Sequence, residues 1–475
     1  MTTIRLRNLS ISILVTLMFF SGYRFTAGAE RKPIEQLPLA EPNLGATSRI
    51  SVASDGSQGD ENSSWTWMSA DGRYVTFQSR ASNLVDLDTN YELDVFVHDR
   101  QTGANELISI ASDGTQGNYS SGLPSISADG RFVVFYSSAN NLVSGDTNYY
   151  GDIFVHDRQT GATERVSVAS DGSQANYSSR IATISADGRF VAFDSEASNL
   201  VSGDTNGFRD IFVHDRQTKV TECISVASDG SQGDFNSYEP TISADGRYVA
   251  FHSGANNLVE GDANNDYDVF VHDRQAGVNE LISIASDGTQ GNLYSRTPSI
   301  SADGRFVAFY SKANTLVEGD TNGTFDVFVH DRQTGVTDRI SVASDGSQGD
   351  DSAGDPFITA DGRYVAFISR SSNLASGDNN RAWDIFVHDR QTGMTDLVSV
   401  ASNGSLGNED SLKPSISTDG QIVAFFSYAS NLVNDDSNIC LDDSDDYENC
   451  ADIFVHDRQG STGGYTIYLP TIAKK

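Results

Sequence analysis

The chain has 475 residues and a formal charge of -33 at pH 7. So negative a surface repels nucleic acid and anionic lipid, which excludes both as expected partners. A chain of this length ordinarily holds two to four domains, but repeats of fixed period run through most of it and predict a single array.

Residues 1–29 have the pattern of a secretory signal peptide. Arg5 and Arg7 form its basic region, residues 11–20 its apolar core, and residues 27–29 its small-residue cleavage site. The apolar core is short and interrupted by polar residues, although an uncleaved N-terminal anchor is the alternative. We therefore expect a secreted or periplasmic protein without a membrane span once the signal is removed.

Seven repeats follow the signal. Residues 30–46 contain three prolines and predict an extended linker, residues 47–458 hold the repeats, and residues 459–475 form a tail. Each repeat contains the tetrapeptide Val-His-Asp-Arg, and its first six copies are spaced by 58 residues. The histidines of the tetrapeptides are His98, His156, His214, His272, His330, His388 and His456.

Each repeat predicts four short strands and no helix. In the fifth repeat the strands are residues 298–301, 305–310, 326–330 and 338–343, joined by turns that include Asp-Gly. Such small units must stack to bury their faces, and closure into a ring removes exposed sheet edges. The sequence therefore predicts an all-β fold, a seven-bladed β-propeller with four antiparallel strands per blade. An open β-solenoid is the alternative.

The N-terminal segment Ser48 to Ser54 matches the end of a repeat without the repeat that should precede it. The seventh repeat stops after its third strand, near Arg458. We therefore expect the N-terminal strand to complete the seventh blade and close the ring.

The repeat also resembles a known family. Ser-Ala-Asp-Gly-Arg-Phe-Val-Ala-Phe at residues 301–309, then Asp-Val-Phe-Val-His-Asp at 326–331 and a Thr-Gly turn, is similar to the TolB-type WD40-like (PD40) repeat of bacterial β-propellers. The resemblance covers about residues 48–458. It departs at Ala302, where the family commonly has proline, and in a repeat that is long for a blade. It implies a propeller whose partners could be those of a periplasmic TolB-like protein.

A pattern of oxygen donors, Asp-x-Asn-x-x-x-Asp, precedes each Val-His-Asp-Arg. The donors are fixed while the residues between them vary, and hard oxygens at this spacing can bind Ca²⁺ from one loop. The alternative is an Asx-turn without metal. In the seventh repeat an insertion displaces the last Asp. The predicted calcium ligands are Asp88, Asn90, Asp94, Asp146, Asn148, Asp152, Asp204, Asn206, Asp210, Asp262, Asn264, Asp268, Asp320, Asn322, Asp326, Asp378, Asn380, Asp384, Asp436, Asn438 and Asp452.

Cysteines, histidines and arginines complete the candidate residues. Cys440 and Cys450 flank the acidic insertion and predict a disulfide. The seven repeated histidines predict packing between blades with a hydrogen bond, and the arginines of the Arg131 and Arg158 type predict pairs with aspartate. His252 has no counterpart, because the other repeats place Gln78, Tyr136, Asp194, Tyr310, Ile368 or Phe426 there.

Two variable loops in each blade emerge on one face, which we call the loop face, and they carry many aromatic residues. These are Trp65, Trp67, Tyr91, Tyr119, Tyr149, Tyr150, Tyr177, Phe208, Phe235, Tyr238, Tyr267, Tyr294, Phe325, Trp383 and Tyr447. Exposed aromatics beside Asp and Asn are typical of sugar or protein recognition. The sequence therefore favours a monomeric scaffold that binds an extracellular protein or polysaccharide. A nucleophile motif is missing, so a lyase-like or hydrolase-like enzyme acting on polysaccharide is the alternative. Three or more unmatched polar residues converging with His252 at the channel mouth would favour that alternative.

Overall fold

The computed structural model of the protein describes residues 45–441 and 447–459. The predicted signal peptide, nearly all of the linker, the tail beyond residue 459 and the centre of the acidic insertion lie outside this part of the chain. Every regular element within it is a β-strand. No helix long and apolar enough to cross a membrane occurs among these residues.

Seven four-stranded antiparallel sheets form the blades of a ring, so the predicted seven-bladed β-propeller is confirmed. We number the blades along the chain and the strands of each blade from first to fourth, with the first strand innermost. The strands are Ser63–Met68, Tyr74–Ser79, Asp94–Asp99 and Ala104–Leu107 in blade one; Ser121–Ile126, Phe132–Ser137, Asp152–Asp157 and Ala162–Arg165 in blade two; Ser179–Ile184, Phe190–Ser195, Asp210–Asp215 and Val220–Cys223 in blade three; Ser237–Ile242, Tyr248–Ser253, Asp268–Asp273 and Val278–Leu281 in blade four; Ser295–Ile300, Phe306–Ser311, Asp326–Asp331 and Val336–Arg339 in blade five; Ala353–Ile358, Tyr364–Ser369, Asp384–Asp389 and Met394–Leu397 in blade six; and Ser411–Ile416, Ile422–Ser427, Asp452–Asp457 and Ala46–Arg49 in blade seven.

The fourth strands end earlier than the sequence predicted. In blade five the strand is Val336–Arg339 instead of residues 338–343. The ladder stops because Val327 N donates to the Ser341 hydroxyl at 3.1 Å, and that hydroxyl donates in turn to Asp326 Oδ1 at 2.5 Å. A serine side chain thus replaces the backbone carbonyl that a longer strand would supply.

The N-terminal strand closes the ring as predicted, with shifted bounds. Residues Ala46–Arg49, rather than Ser48 to Ser54, pair antiparallel with the third strand of blade seven, with Thr47 opposite His456. Beyond this strand, Ile50 N still donates to Ile453 O at 2.8 Å, and Val52 then bridges to Gln58 in the following turn. The closing strand is therefore short for the same reason as the other fourth strands.

The core lies between adjacent blades. In one cluster Val327 and Val329 of blade five pack with Val365, Phe367 and Phe386 of blade six, all buried completely. Phenylalanines of the second and third strands stack in each blade, for example with ring centroids 5.8 Å apart for Phe367 and Phe386. Because each blade buries its faces only against its neighbours, the ring is stable as a whole rather than blade by blade.

A small hairpin extends blade seven. Its strands are Ile439–Leu441 and Tyr447–Asn449, and the predicted disulfide between Cys440 and Cys450 ties its base, with the two Cα atoms 5.0 Å apart. A disulfide of this kind suits an oxidising compartment outside the cytoplasm.

Candidate functional site

In six of the seven predicted calcium loops the Asp and Asn residues do converge, but around a glutamine. In blade one, Gln116 Nε2 donates to Asp88 Oδ1 and to Asp94 Oδ2, both at 2.9 Å. Asn90 donates through Nδ2 to a backbone carbonyl at 2.9 Å, and its Oδ1 accepts from Glu92 N as in an Asx-turn. An amide hydrogen-bond donor thus faces both carboxylates.

The same glutamine recurs in six of the seven loops. It lies in the turn that leads into the next blade, 28 residues beyond the first Asp in blade one. Its signal in the sequence is the repeated Ser-Asp-Gly-x-Gln motif, which the spacing of the Asp and Asn residues does not include. The six residues are Gln58, Gln116, Gln174, Gln232, Gln290 and Gln348, and blade six has Leu406 at this place.

Arginine joins the glutamine in blades two, five and seven. Arg165 Nη1 lies 3.5 Å from Asp146 Oδ1 and 3.4 Å from Asp152 Oδ2 in blade two. Arg339 and Arg49 occupy the same place in blades five and seven. The other four blades carry Leu107, Cys223, Leu281 or Leu397 at this position.

The second carboxylate of each loop is deeply buried. Burial raises the pKa of Asp94 to about 6 and that of Asp268 to about 7, although hydrogen bonds from serine and amide donors partly offset the rise. Among residues 45–441 and 447–459, no three His, Cys, Asp or Glu side chains form a group that could hold a metal ion. Calcium at these loops stays a prediction, and in six of them an ion would have to displace the glutamine amide.

The repeated histidines are buried and hydrogen-bonded as the sequence predicted, but the bond joins two strands of one blade rather than two blades. His330 is almost completely buried, and its Nδ1 lies 2.8 Å from Thr337 Oγ1 on the neighbouring strand. Burial lowers the pKa of His330 to about 4, so the imidazole is neutral near pH 7. The histidines therefore tie the third strand to the fourth.

The two repeated arginines have different partners. Arg131 donates to both oxygens of Asp157 at 2.8 and 2.7 Å, as predicted. The prediction of an aspartate partner is wrong for Arg158, which donates to Glu106 of the preceding blade at 2.8 Å and stacks over the Tyr74 ring. It follows the end of the third strand, so it reaches the neighbouring blade instead of its own.

The first strands place one residue of each blade in the channel through a β-bulge. In blade four the register shifts between Tyr238 and Thr241, and Glu239 lies at the bulge with φ of 51°. The bulge residues are 58 positions apart, and six of the seven have positive φ, an unfavourable conformation for residues other than glycine. The seven are Trp65, Leu123, Ile181, Glu239, Thr297, Asp355 and Lys413. The bulge is thus repeated in every blade, with Ile181 alone lacking the positive φ, while the side chain differs in every blade.

A pocket of about 450 Å³ opens at the loop-face end of this channel, beside blades one to five. Its lining comes from four positions of the repeat: the bulge residue, the residue before it, the penultimate residue of the second strand, and the residue before the third strand. All four differ from blade to blade. The lining residues are Trp65, Leu123, Arg180, Ile181, Asp194, Arg209, Tyr238, Glu239, His252, Tyr267 and Arg296.

His252 lies in this pocket between two tyrosine rings. Its ring stacks on Tyr238, with centroids 5.5 Å apart, and meets the Tyr267 ring edge to face. Its Nδ1 is buried without a hydrogen-bond partner and lies 3.9 Å from Glu239 Oε2. Burial, with a smaller effect of Arg296, lowers the pKa of His252 to about 3, so the ring is neutral near pH 7.

Charged groups surround His252. Asp194 is fully buried, and burial raises its pKa to about 7 against the opposing effect of Arg209. Arg209 lies against Asp194 and Glu196. Arg296 lies over the Tyr267 ring at 4.7 Å, and its Nε is buried without a partner. More than three unmatched polar residues therefore converge with His252, the condition set above for the enzyme alternative.

Aromatic side chains extend from the pocket over the loop face. Tyr91 and Tyr149 follow the Asn of their loops, have φ of 60° and 62°, and are 80% and 87% exposed. Tyr150 stacks on Tyr177 with centroids 4.5 Å apart. Trp65 and Trp67 instead lie partly buried in the channel, where Trp67 meets the Phe357 ring. The aromatic residues of the sequence prediction thus divide between an exposed rim and the channel.

Comparison with known proteins places the chain among β-propellers. No protein-family model matches it, and no curated protein matches it in sequence. In structure it is similar to oligogalacturonate lyase from Vibrio parahaemolyticus, with 12% identity, a TM-score of 0.51, and coverage of 86% of this chain and 93% of that one.

Two further similar structures share less of the geometry. TolB from Acinetobacter baumannii has 14% identity and a TM-score of 0.39, with 71% of this chain and 64% of that chain covered. The propeller domain of the Trilobed protease from Pyrococcus furiosus has 13% identity and a TM-score of 0.48, with 77% and 91% covered. At these identities the likeness concerns the fold alone.

Proposed function

We propose that the chain is an exported binding propeller that holds an anionic part of an extracellular polysaccharide or protein in the channel-mouth pocket. The observation that carries the proposal is that the pocket consists entirely of positions that vary between blades. In the third strands the repeats keep nearly the same residues at the same positions because each blade has the same structural task. Residues that vary at equivalent positions of the repeat are not needed for the structure that the blades share. Ligand binding would explain why they vary.

The charge of the pocket supports an anionic ligand. The chain as a whole has a formal charge of -33, yet around this one cavity the three arginines Arg180, Arg209 and Arg296 outnumber the two carboxyl groups, those of Asp194 and Glu239. Arg296 Nε is a buried donor without an acceptor, and a ligand carboxylate or sulfate would supply one. Trp65, Tyr238 and Tyr267 offer flat apolar surfaces of the kind that sugar rings and aromatic peptide side chains pack against.

The exposed rim supports a ligand larger than the pocket. Tyr91 and Tyr149 hold backbone conformations that glycine adopts in blades three and five, at Gly207 and Gly323. Large exposed apolar side chains at such positions stabilise neither the loop nor the core. An extended polysaccharide or a protein surface could contact them while one acidic group enters the pocket.

A binding screen tests this proposal. The protein without its signal would be measured against acidic polysaccharides, the same polysaccharides with their carboxyl groups reduced to alcohols, and extracellular protein extracts. We expect binding to an acidic member and its loss after reduction. Arg296→Gln should weaken that binding at least tenfold, whereas Lys219→Gln, in the exposed turn between the third and fourth strands of blade three and outside the pocket, should leave it unchanged. Equal binding by both variants would overturn the proposal.

A second candidate function is catalysis on an acidic polysaccharide. The convergence of Glu239, Asp194 and His252 favours it, because a neutral imidazole can take a proton and a carboxyl with a pKa of about 7 can give one. Lyase activity would give an unsaturated product that absorbs in the ultraviolet, and hydrolase activity would give new reducing ends. His252→Gln should abolish either signal without lowering the melting temperature. If the polysaccharide binds but no product forms, binding is the function and catalysis is excluded for that polysaccharide.

A further inference from the structure

The loop of blade six differs from the six others in what faces its carboxylates. In the other loops a glutamine amide approaches the Asp pair, and Arg165, Arg339 and Arg49 reinforce it in three of them. Blade six has Leu406 in place of the glutamine and Leu397 in place of the arginine. Both carboxylates remain, at Asp378 and Asp384, but the glutamine amide and the arginine are gone, and the Asn380 amide is the amide group that still acts on Asp384.

Asp384 shows the consequence directly. The residue is fully buried, and its Oδ2 has no hydrogen-bond partner, whereas the matching oxygen of each other blade accepts from glutamine, asparagine or arginine. Its Oδ1 accepts from Ser399 at 2.6 Å, so Oδ2 is the free acceptor. A buried carboxylate oxygen without a partner destabilises the fold, and a bound cation would offset that cost.

The surroundings add negative potential and space. Asp350 acts on Asp378 and Asp410 acts on Asp384 through their charges. Leu406 and Gly377 line a cavity of about 390 Å³ beside this loop, although Asp378 and Asp384 themselves are not part of its lining. The leucine side chain branches at Cγ and ends in methyl groups, so it does not reach the place that the glutamine amide occupies in the other blades. That place is therefore open to an ion.

We propose that blade six holds a divalent-cation site, with Asp384 Oδ2 and the Asp378 carboxylate as its protein ligands. Hard oxygen ligands without sulfur or imidazole select Ca²⁺ or Mg²⁺ over transition metals. Asn380 Oδ1 already accepts from Ala382 N, and it has a second lone pair that an ion could use. Two carboxylates indicate a weak site, with a dissociation constant of roughly 10⁻⁴ to 10⁻³ M for Ca²⁺.

Of the seven loops that the sequence predicts to bind calcium, we thus expect only the loop of blade six to bind it. The proposed site does not depend on the proposed ligand of the channel mouth, because the loop of blade six takes no part in that pocket. The glutamine of the other blades acts as a built-in substitute for the ion, holding the two carboxylates together without metal. In blade six Leu406 replaces that glutamine, so occupancy of the site depends on the concentration of divalent cations in the medium.

Calcium titration of the metal-free protein tests the site. The full chain without its signal would be treated with a chelator, dialysed, and titrated with Ca²⁺ by calorimetry, with the melting temperature measured in parallel. We expect binding of one ion per chain and a higher melting temperature with calcium. Leu406→Gln, which restores the residue of the other blades, should abolish that binding and remove the calcium-dependent rise in melting temperature.

A matched variant in blade one sharpens the test. Gln116→Leu reproduces the arrangement of blade six and should raise the stoichiometry from one ion to two. No binding by the original protein, or equal binding by the original protein and Leu406→Gln, would overturn the proposal. Seven bound ions would also overturn it, since the glutamine would then not exclude metal.

Discussion

The third strands and the channel of this ring differ in what they keep constant. The third strands repeat their side chains together with their backbone, as Asp326–Asp331 and Asp384–Asp389 show. The channel repeats its backbone down to the β-bulge but changes the side chain in every blade. The first region therefore specifies the fold, and the second is where we place the function. Substitutions in the two regions should separate stability from binding.

The largest loss of stability is expected in the repeated core. Phe328 is fully buried and stacks on Phe309 with centroids 5.9 Å apart. Phe328→Ala should lower the free energy of unfolding by about 3–5 kcal/mol, since it leaves a cavity between tightly packed blades. Leu123→Ala in the channel should cost about 1 kcal/mol or less, because Leu123 is only partly buried. Denaturant unfolding of both variants measures the difference, and equal losses would contradict the division.

A smaller loss is expected where the serine ends the fourth strand. Ser341→Ala should cost about 1–3 kcal/mol, because it leaves Asp326 Oδ1 and Val327 N, both buried, without their partner. Ser347→Ala is the matched control, since its hydroxyl donates to Asp345 at an exposed turn. We expect the control to change stability by less than about 0.5 kcal/mol in the same unfolding measurement.

Two aspartates, one from each region, should give opposite pH dependence. Arg73 lowers the pKa of Asp99 to about 2, so this pair stabilises the fold above the ordinary value of 3.8 and loses the effect as the pH falls towards 2. Burial raises the pKa of Asp194 from 3.8 to about 7. The contribution of the protonated carboxyl to stability is therefore complete below pH 3.8 and is lost as the pH rises through 7.

Unfolding between pH 5 and pH 8 separates these two effects. In the original protein the free energy of unfolding should fall by an amount on the order of 1–3 kcal/mol between these two pH values as Asp194 ionises. Asp194→Asn should remove this fall, because the amide cannot ionise in the buried site. Asp99→Asn should lower stability equally at both pH values, since Asp99 is ionised throughout. A pH profile that Asp194→Asn leaves unchanged would contradict the account of the buried carboxyl.

The smallest change in stability is expected at the exposed rim. Tyr91→Ala and Tyr149→Ala should alter the free energy of unfolding by less than about 0.5 kcal/mol each, since both side chains lie almost entirely in solvent. The same variants should weaken binding of the ligand found in the screen. Unchanged affinity in the double variant would show that the rim has no part in recognition.

The fold could be predicted from the repeats, but the pairing of side chains could not. A period of 58 residues, Asp-Gly turns and the unpaired N-terminal segment predict seven blades and their closure. The partners of Asp88 and Asp94 could not be predicted from local spacing, because Gln116 follows in the next inter-blade turn and reaches them only in the folded ring. Strand ends were misplaced where Ser341 replaces a backbone acceptor.

The channel-mouth pocket was predictable only in part. The sequence marked His252 as unmatched but not Arg209, Tyr238, Glu239 or Arg296, which vary at other positions of the repeat. Their convergence depends on the β-bulge and on the angle between blades, and neither has a signature in one sequence. A comparison of every repeat position for its variation would have found the four lining positions without a structure.

The most direct test of the central claim is the ligand affinity of a channel made more symmetric. His252→Phe and Arg296→Leu introduce side chains that blade seven already holds at the matching places, Phe426 and Leu412. We predict that the double variant keeps its melting temperature within a few degrees and loses at least a hundredfold in affinity for the ligand of the screen. Full affinity in a variant that folds normally would contradict the claim that the unmatched residues of the channel mouth bind the ligand.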